Sequence, residues 1–405
     1  MSNPALQRDD RYKWVILVAA FIAQMLAIGS TSFGFGLFVK PLGQEFGLSR
    51  ADVNLGLMLL IVGMALVSPL VGRMLDRFSA RWTMLGGALL FGLGAVLVAV
   101  ARDLWLLALA TFLPLAFGTA ALGPITASTL IARWFDERRG RALGIVAISA
   151  SAGGALVVPV MSMLIERWGW RHAAGGVGLA VGAICTLLAL LVIRDRAPSP
   201  GATRTMSSPD QRWTVRQLLA TRDFWLLVIS VGLMLAMSQA LLSSLVAYGT
   251  DRGFSLAQAT ALITAVSASS IAGKVLIGLL ADVVDKRLLL VGVVLLLELF
   301  LVALLQHPGF PALFACCLVA GAAIGGVSPI WAALISARFG IASFGMVMGL
   351  TVQAQMPLLL VALRFIGQSH DRSGSYDQAF SVFAWLAPIA LLAALALGRP
   401  RFQKL

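Results

Sequence analysis

Charge is what this chain has least of. Only 12% of its 405 residues are Asp, Glu, Lys or Arg, 59% are hydrophobic, and the mean hydropathy is +0.91. That balance excludes a water-soluble domain of this length. Tyrosine, histidine and cysteine are scarce too, at three each. Cys185, Cys316 and Cys317 all fall in apolar segments and read as small buried hydrophobes rather than a disulfide framework. His172, His307 and His370 lie far apart without metal-ligand spacing. There is no Walker-type phosphate loop and no serine in a nucleophile elbow, so neither ATP-driven chemistry, an enzymatic activity nor a cofactor is expected. The roughly ten-residue alternation of a membrane β-barrel is missing as well.

What is present is a succession of hydrophobic runs of about 20 residues, each closed by a short charged or Pro/Gly cluster. They predict about twelve membrane spans: 14–38, 54–74, 82–101, 104–132, 142–165, 172–194, 223–248, 259–281, 287–306, 310–337, 344–367 and 378–398. The polar stretch Met1–Lys13 leads straight into the first span, so no cleavable signal peptide is expected. The net charge of +13 invites a nucleic-acid reading, but the cations sit in alternate loops rather than on one patch. With the N-terminus inside, cytoplasmic segments hold 22 Lys and Arg and the opposite loops hold seven. This asymmetry places both termini in the cytoplasm. The two remaining cations, Lys274 and Arg364, lie within spans.

The only long polar segment, Arg194–Arg222, reads as a cytoplasmic linker between two groups of six spans. The division is a tail over 1–13, a lobe over 14–194, a linker over 195–222, a second lobe over 223–398 and a tail over 399–405. Within the linker, Trp213–Thr221 reads as a short interfacial or surface helix with Trp213, Leu218 and Leu219 as its apolar contacts. The halves repeat. Gly72 with Asp76 at +4 and Arg81 at +9 recurs as Gly278 with Asp282 and Arg287, 206 residues on. Gly123-Pro-Ile125 ending at Arg133 recurs as Ser328-Pro-Ile330 ending at Arg338, 205 residues on. Two motifs at nearly one offset indicate internal duplication. The expected fold is an all-α polytopic membrane protein with twelve helices in two pseudo-symmetric six-helix lobes.

Gly72–Arg81 resembles the loop 2–3 signature of the major facilitator superfamily, and its second copy strengthens the match. Within that superfamily the chain is similar to the monocarboxylate/oxalate transporter branch. The stretches that carry this are Ser32-Phe-Gly34, Phe46-Gly-Leu-Ser-Arg-Ala51, Trp134-Phe-Asp-Glu-Arg-Arg-Gly-Arg-Ala-Leu-Gly144, Pro159 with Trp168-Gly-Trp-Arg171, and Gly374-Ser-Tyr376. The resemblance spans nearly the whole chain. It implies an alternating-access carrier whose eighth span holds a cation, four residues before Gly278, that pairs with the substrate carboxylate. Here that position is Lys274, where the branch often has arginine; lysine offers a point charge in place of a bidentate fork. Mammalian members carry an aspartate four residues earlier, implicated in proton coupling. Here it is Ser270.

The residues point to the same helix independently. Thr264, Ser267, Ser270 and Lys274 are spaced 3, 3 and 4, so a helix stacks them on one face. A lysine in hydrocarbon costs roughly 2.5–3.5 kcal/mol on insertion scales, and such residues mark ligand or ion paths. Its charge calls for relief by water, an anion or loss of the proton. The bland alternative is a structural cation or one that snorkels toward Asp282, roughly 12 Å away at helical rise. Ser267 and Ser270 can donate to a carboxylate. Arg364 shares a face with Gln353 and is read as a carboxylate contact, an outer gate or an interface anchor; Gln355 points elsewhere on that helix. Gln239 and Ser238, Trp331, Ser30 and Thr31 are candidate cavity residues, with helix packing as the alternative. Phe33 and Phe35 suit an apolar wall, and Glu298 is the candidate for proton coupling. Gly72, Asp76, Arg77, Arg81, Gly278, Asp282 and Arg287, with Arg138 and Arg139, are read as gating elements.

The expected function is secondary transport of a small organic anion, a monocarboxylate, coupled to protons, in a bacterial inner membrane. The alternatives are efflux of amphiphilic compounds and a non-transporting ligand sensor. The expected partners are the carboxylate, protons and the lipid bilayer, with no nucleic acid, and the functional unit is read as a monomer.

Overall fold

The computed structural model describes residues 4–77, 79–135, 139–194, 213–280, 283–339 and 344–397. Every regular element among them is helical, as expected where backbone polar groups must be satisfied inside hydrocarbon. Among the described residues, eleven helical runs are long and apolar enough to cross a membrane. The longest, Arg141–Val192, turns at Gly169, whose φ of 78° is open to glycine and strained for L side chains. That run therefore makes two crossings, and the described residues make twelve.

The chain gathers into two compact units, Met1–Leu48 with Leu55–Ala202, and Ser49–Asn54 with Thr203–Leu405. The sequence division had given the whole of 14–194 to the first lobe; the short segment Ser49–Asn54 clusters with the second. In each unit the near end is where its first long helix begins, and the far end is the opposite one.

The first unit is built from α1 (Pro4–Ile28), α2 (Val39–Phe46), most of α3 (Arg50–Arg77), α4 (Ala80–Val100), α5 (Leu104–Ala110), α6 (Ala116–Leu122), α7 (Pro124–Trp134) and α8 (Arg139–Leu187). Its core joins Ala20, Ala23 and Ala27 of α1, Met84, Ala88 and Phe91 of α4, Leu130 and Ile131 of α7, and Val181 and Cys185 of α8. Between α1 and α2 the helix widens into a π turn over Gly29–Phe33, then tightens into a 3-10 turn over Gly34–Phe38. Such interruptions inside a span recur at functional sites.

At the far end, Trp170 Nε1 (2.6 Å) and Arg171 Nε (2.8 Å) both donate to Glu45, and Arg171 also donates to Ala99 O at 2.7 Å. At the near end, the last carbonyls of the sixth crossing accept from Arg81 (Leu190 O, 2.9 Å), Tyr12 (Val192 O, 2.6 Å) and Trp134 (Arg194 O, 3.2 Å). Helix ends leave such carbonyls without intrahelical donors.

The second unit contains α9 (Val215–Leu219), α10 (Arg222–Asp251), α11 (Leu256–Leu280), α12 (Lys286–Leu305), α13 (Phe310–Phe339), α14 (Phe344–Ser373) and α15 (Asp377–Ala396). The linker helix expected near Trp213–Thr221 is α9, closed by a reciprocal cap between Thr214 and Gln217. Leu218 is fully buried and Trp213 meets the edge of Phe339 at 5.5 Å, whereas Leu219 is exposed. The helix thus rests on the second unit through two of its three expected contacts.

The tightest helix pair is α11 against α13. A Cβ on Gly325 would fall onto the main chain of Ser270, and one on Gly273 onto that of Ala322. Small residues allow this backbone approach, which provides cohesion where no hydrophobic drive separates helix from lipid. Valine at Gly325 or Gly273 is therefore expected to cost about 1–3 kcal/mol through overpacking. By contrast, Gly278→Ala, with no described atom within 4 Å of the added Cβ, should stay within about 0.5 kcal/mol. Thermal unfolding of the purified variants in one detergent checks both.

Candidate functional site

On α11 the hydroxyl and amine positions share one side. Ser267 and Ser270 are buried and Lys274 is half-buried, while Ala268, Ala272, Val275, Leu276 and Leu279 on the opposite side are exposed. That exposed side is all alanine, valine and leucine, the composition lipid favours. Lys274 stands six residues before the near end of the helix, about 9 Å along its axis at helical rise. The hydroxyl of Ser270 donates to Ser267 O at 2.8 Å. Ser267 Oγ, with its residue at 0% exposure, has no hydrogen-bond partner among the described residues.

Three further helices of this unit bring buried polar atoms that also lack partners among the described residues: Ser238 Oγ of α10, Trp331 Nε1 of α13 and Gln355 Nε2 of α14. A buried donor left unmatched costs about 1–3 kcal/mol, so each is either a defect or a contact held for a guest or water. Gln239, next to Ser238, is half-buried. On α14 the two glutamines separate: Gln353 is exposed, whereas Gln355 is buried and so close to α10 that a Cβ on Gly232 would lie 2.8 Å from its Cγ. Sequence reasoning set Gln355 aside. Its signal was the helical spacing it shares with buried Thr351, Ala362, Ile366 and Ser369.

Arg364 meets a protein carboxylate, Asp52 Oδ1, at 3.1 Å. Asp52 belongs to the segment Ser49–Asn54 and also accepts from Ser49 Oγ at 2.8 Å. The rest of that segment is held by the far end of the second unit. Arg50 pairs with Asp251 at 3.2 Å, and the amides of Arg50 and Ala51 donate to Asp371 at 2.7 and 2.9 Å. Asn54 donates to Leu363 O at 3.0 Å. His370 approaches the same Asp251 at 3.3 Å. Its ring lies 4.7 Å from that of Tyr376, whose hydroxyl burial pushes well above the usual phenol range. Tyr376 comes from the Gly374-Ser-Tyr stretch, where Gly374 adopts a φ of 69°.

The remaining candidates are dispersed. Ser30 and Thr31 sit in the π turn of the first unit and donate to Leu26 O (2.6 Å) and Ala27 O (2.7 Å), with Phe33 and Phe35 half-buried beside them. Glu298 is half-buried on α12, which packs chiefly on α13 and α15. Among the described residues, no three His, Cys, Asp or Glu groups gather as a metal site.

Of the gating candidates, Arg138 and Asp282 lie outside the described residues, as do the side chains of Asp76, Arg77 and Arg139. Gly72 and Gly278 both have open space around them among the described atoms. Arg81 and Arg287 act alike. Each donates to a closing carbonyl of the last crossing of its own unit, Arg81 to Leu190 O and Arg287 to Leu397 O (2.8 Å). Each follows by two residues the side chain that caps its helix, Ser79 and Asp285, themselves 206 residues apart. Hydrogen bonds from Arg287 hold the Asp285 carboxyl below its ordinary range. The duplicated arginine is thus an internal strut in both halves.

Comparison with known proteins places these observations. Residues 19–357 match the family model of the Major Facilitator Superfamily. The chain is 25% identical to an uncharacterized MFS-type transporter, YcxA, of Bacillus subtilis, over 85% of each chain. It is 27% identical to monocarboxylate transporter 11 of Homo sapiens, over 93% of this chain and 81% of that one. Its fold aligns with the crystal structure of a bacterial homolog of the human lysosomal transporter Spinster at a TM-score of 0.77 and 17% identity, covering 99% and 98% of the two chains.

If Arg81 and Arg287 are struts, Arg81→Ala and Arg287→Ala should each lower unfolding free energy by about 1 kcal/mol. The midpoint of thermal unfolding reads this directly, and an unchanged midpoint in both variants would refute the role.

Proposed function

The chain belongs to the Major Facilitator Superfamily, and from that premise we propose that it carries a small organic anion, a monocarboxylate, by alternating access and in symport with protons. The observation that carries the reading is Lys274 on the buried side of α11, in line with Ser267 and Ser270. A carboxylate entering there replaces its hydration with one cationic contact and hydroxyl donors. That exchange makes a cation tolerable within a span. Likeness to a protein named as a monocarboxylate transporter supports the substrate class.

Around this centre, Gln239, Trp331, Ser30, Phe33 and Gln353 are proposed as further substrate contacts, with Arg364 toward the far end. Gln355 joins them because its buried amide has a donor to offer. Glu298 lies on a peripheral helix, which makes it a weaker proton carrier. The pairs Gly72–Asp76 and Gly278–Asp282, with Arg77, Arg138 and Arg139, are proposed as gating elements. Arg81 and Arg287 would serve them by fixing the starts of the helices that follow, α4 and α12. The excess of Lys and Arg on one set of loops supports both termini in the cytoplasm, and a bacterial inner membrane is proposed as the location. Its proposed working form is a monomer.

The decisive variant is Lys274→Ala. In proteoliposomes it should abolish counterflow of lactate or pyruvate while the protein is still made and folded. It should also remove the stabilisation that organic acids give the wild type in a thermal-shift screen. Unchanged uptake would sink the reading. Uptake by wild type of neutral amphiphiles alone would replace it with the efflux reading, and binding without any counterflow would mark a sensor.

A further inference from the structure

The second unit contains few groups that could carry a proton across the membrane. α11 packs on α10 and α13, and between its first and last described residues it holds one titratable side chain, Lys274. The contact of Gly249 with Ala259, where an added Cβ would lie 3.0 Å from Ala259 Cβ, sets the register of antiparallel α10. It brings Lys274 level with Met234, and Ser270 level with Ser238. On α10 the charged or titratable groups are Arg222 and Asp223 at the near end and Tyr248 and Asp251 at the far end. Asp223, the nearer acid, is roughly 16 Å along the axis from Met234.

The Gly325–Ser270 and Gly326–Ile277 contacts set the register of α13 and bring Lys274 level with Gly325 and Gly326. The ionisable groups of α13 are Cys316, Cys317 and Arg338. Cys317 is roughly 12 Å from that level, and Arg338 is bonded to Asp223. Elsewhere in the unit's spans, Glu298 stands on peripheral α12 and Arg364 is paired with Asp52.

From Ser270 toward the far end, the α10–α11 seam beyond Lys274 carries hydroxyls. In the same register Ser244 is level with Thr264, Leu241 with Ser267, and Ser238 with Ser270. Ser238 and Ser267 are at most 2% exposed, and both have Oγ atoms without partners among the described residues. Two unmatched buried hydroxyls about one turn apart along the axis suit water, which makes about three hydrogen bonds in such places.

We propose that Lys274 carries the coupling proton as well as the anion, taking it up through water held along this seam. The inference rests on Lys274 as the anion-binding group. On the side of uptake, the amine gains a proton from hydronium, –NH2 + H3O+ giving –NH3+ + H2O, and the ammonium then accepts the carboxylate. On the side of release, the carboxylate leaves and the ammonium returns its proton to water. One proton and one anion cross together and no net charge moves.

The test is the affinity of the purified wild type for acetate, lactate, pyruvate and oxalate, measured from pH 6 to pH 10, where all four are ionised. If one proton on Lys274 accompanies each anion, the Kd rises tenfold per pH unit above the pH at which the lysine discharges. In Lys274→Arg, which stays charged throughout, the Kd should be flat. In proteoliposomes, whatever anion counterflow that variant retains should come without accumulation driven by a pH gradient. A wild-type Kd that is constant across the range overturns the proposal and leaves the anion site standing. So does a pH-dependent Kd that persists unchanged in Lys274→Arg. Wild type that binds none of the four acids at any pH refutes the anion site itself.

Discussion

Hydrocarbon offers no hydrogen bonds, and that single deficit governs this molecule. It makes every described regular element a helix, and it makes the ends of those helices the places where donors are needed. Arg81, Tyr12 and Trp134 answer that need for the sixth crossing, and Arg287 does so for the last. It also raises the significance of every polar atom that lies inside without a partner. Ser238, Ser267, Trp331 and Gln355 would be unremarkable on a wet surface. Within the second unit these four are among the buried polar groups of the described residues that packing alone does not explain.

Much of the architecture was legible because the membrane acts on composition and length. Runs of apolar residues gave the crossings, and the offset of 206 between the glycine–aspartate–arginine motifs gave the two halves. The structure repeats that offset in finer detail, in Ser79 and Asp285 as helix caps and in the arginines two residues after them. A local pattern preserved in both copies carries its local structure with it. The short linker helix was legible for a similar reason, since Thr214 and Gln217 form a capping pair within four residues.

The site was legible only in outline. The stacking of Ser267, Ser270 and Lys274 follows from helical periodicity, and their shared buried side agrees with it. Pairings between distant segments left no comparable trace. Nothing local in Arg364 announces Asp52, 312 residues earlier, nor does Asp371 announce the amides of Arg50 and Ala51. The same holds for the π turn at Gly29–Phe33, which is a property of how α1 seats against α8, where a Cβ on Gly29 would meet Gly153 at 2.7 Å. Gln353 and Gln355 differ by two residues and so by more than half a turn, and only the packing of α14 on α10 decides which is buried.

The main-chain contact of α11 with α13 through Gly273 and Gly325 has a mechanical meaning. Helices whose main chains touch at two levels cannot slide freely past one another there, since shear drives backbone into backbone. They form one stiff blade, with the lysine mounted on it at a fixed height. Whatever displacement the carrier undergoes, that side chain swings as a passenger on a rigid lever, and the bending is left to helices with looser seams.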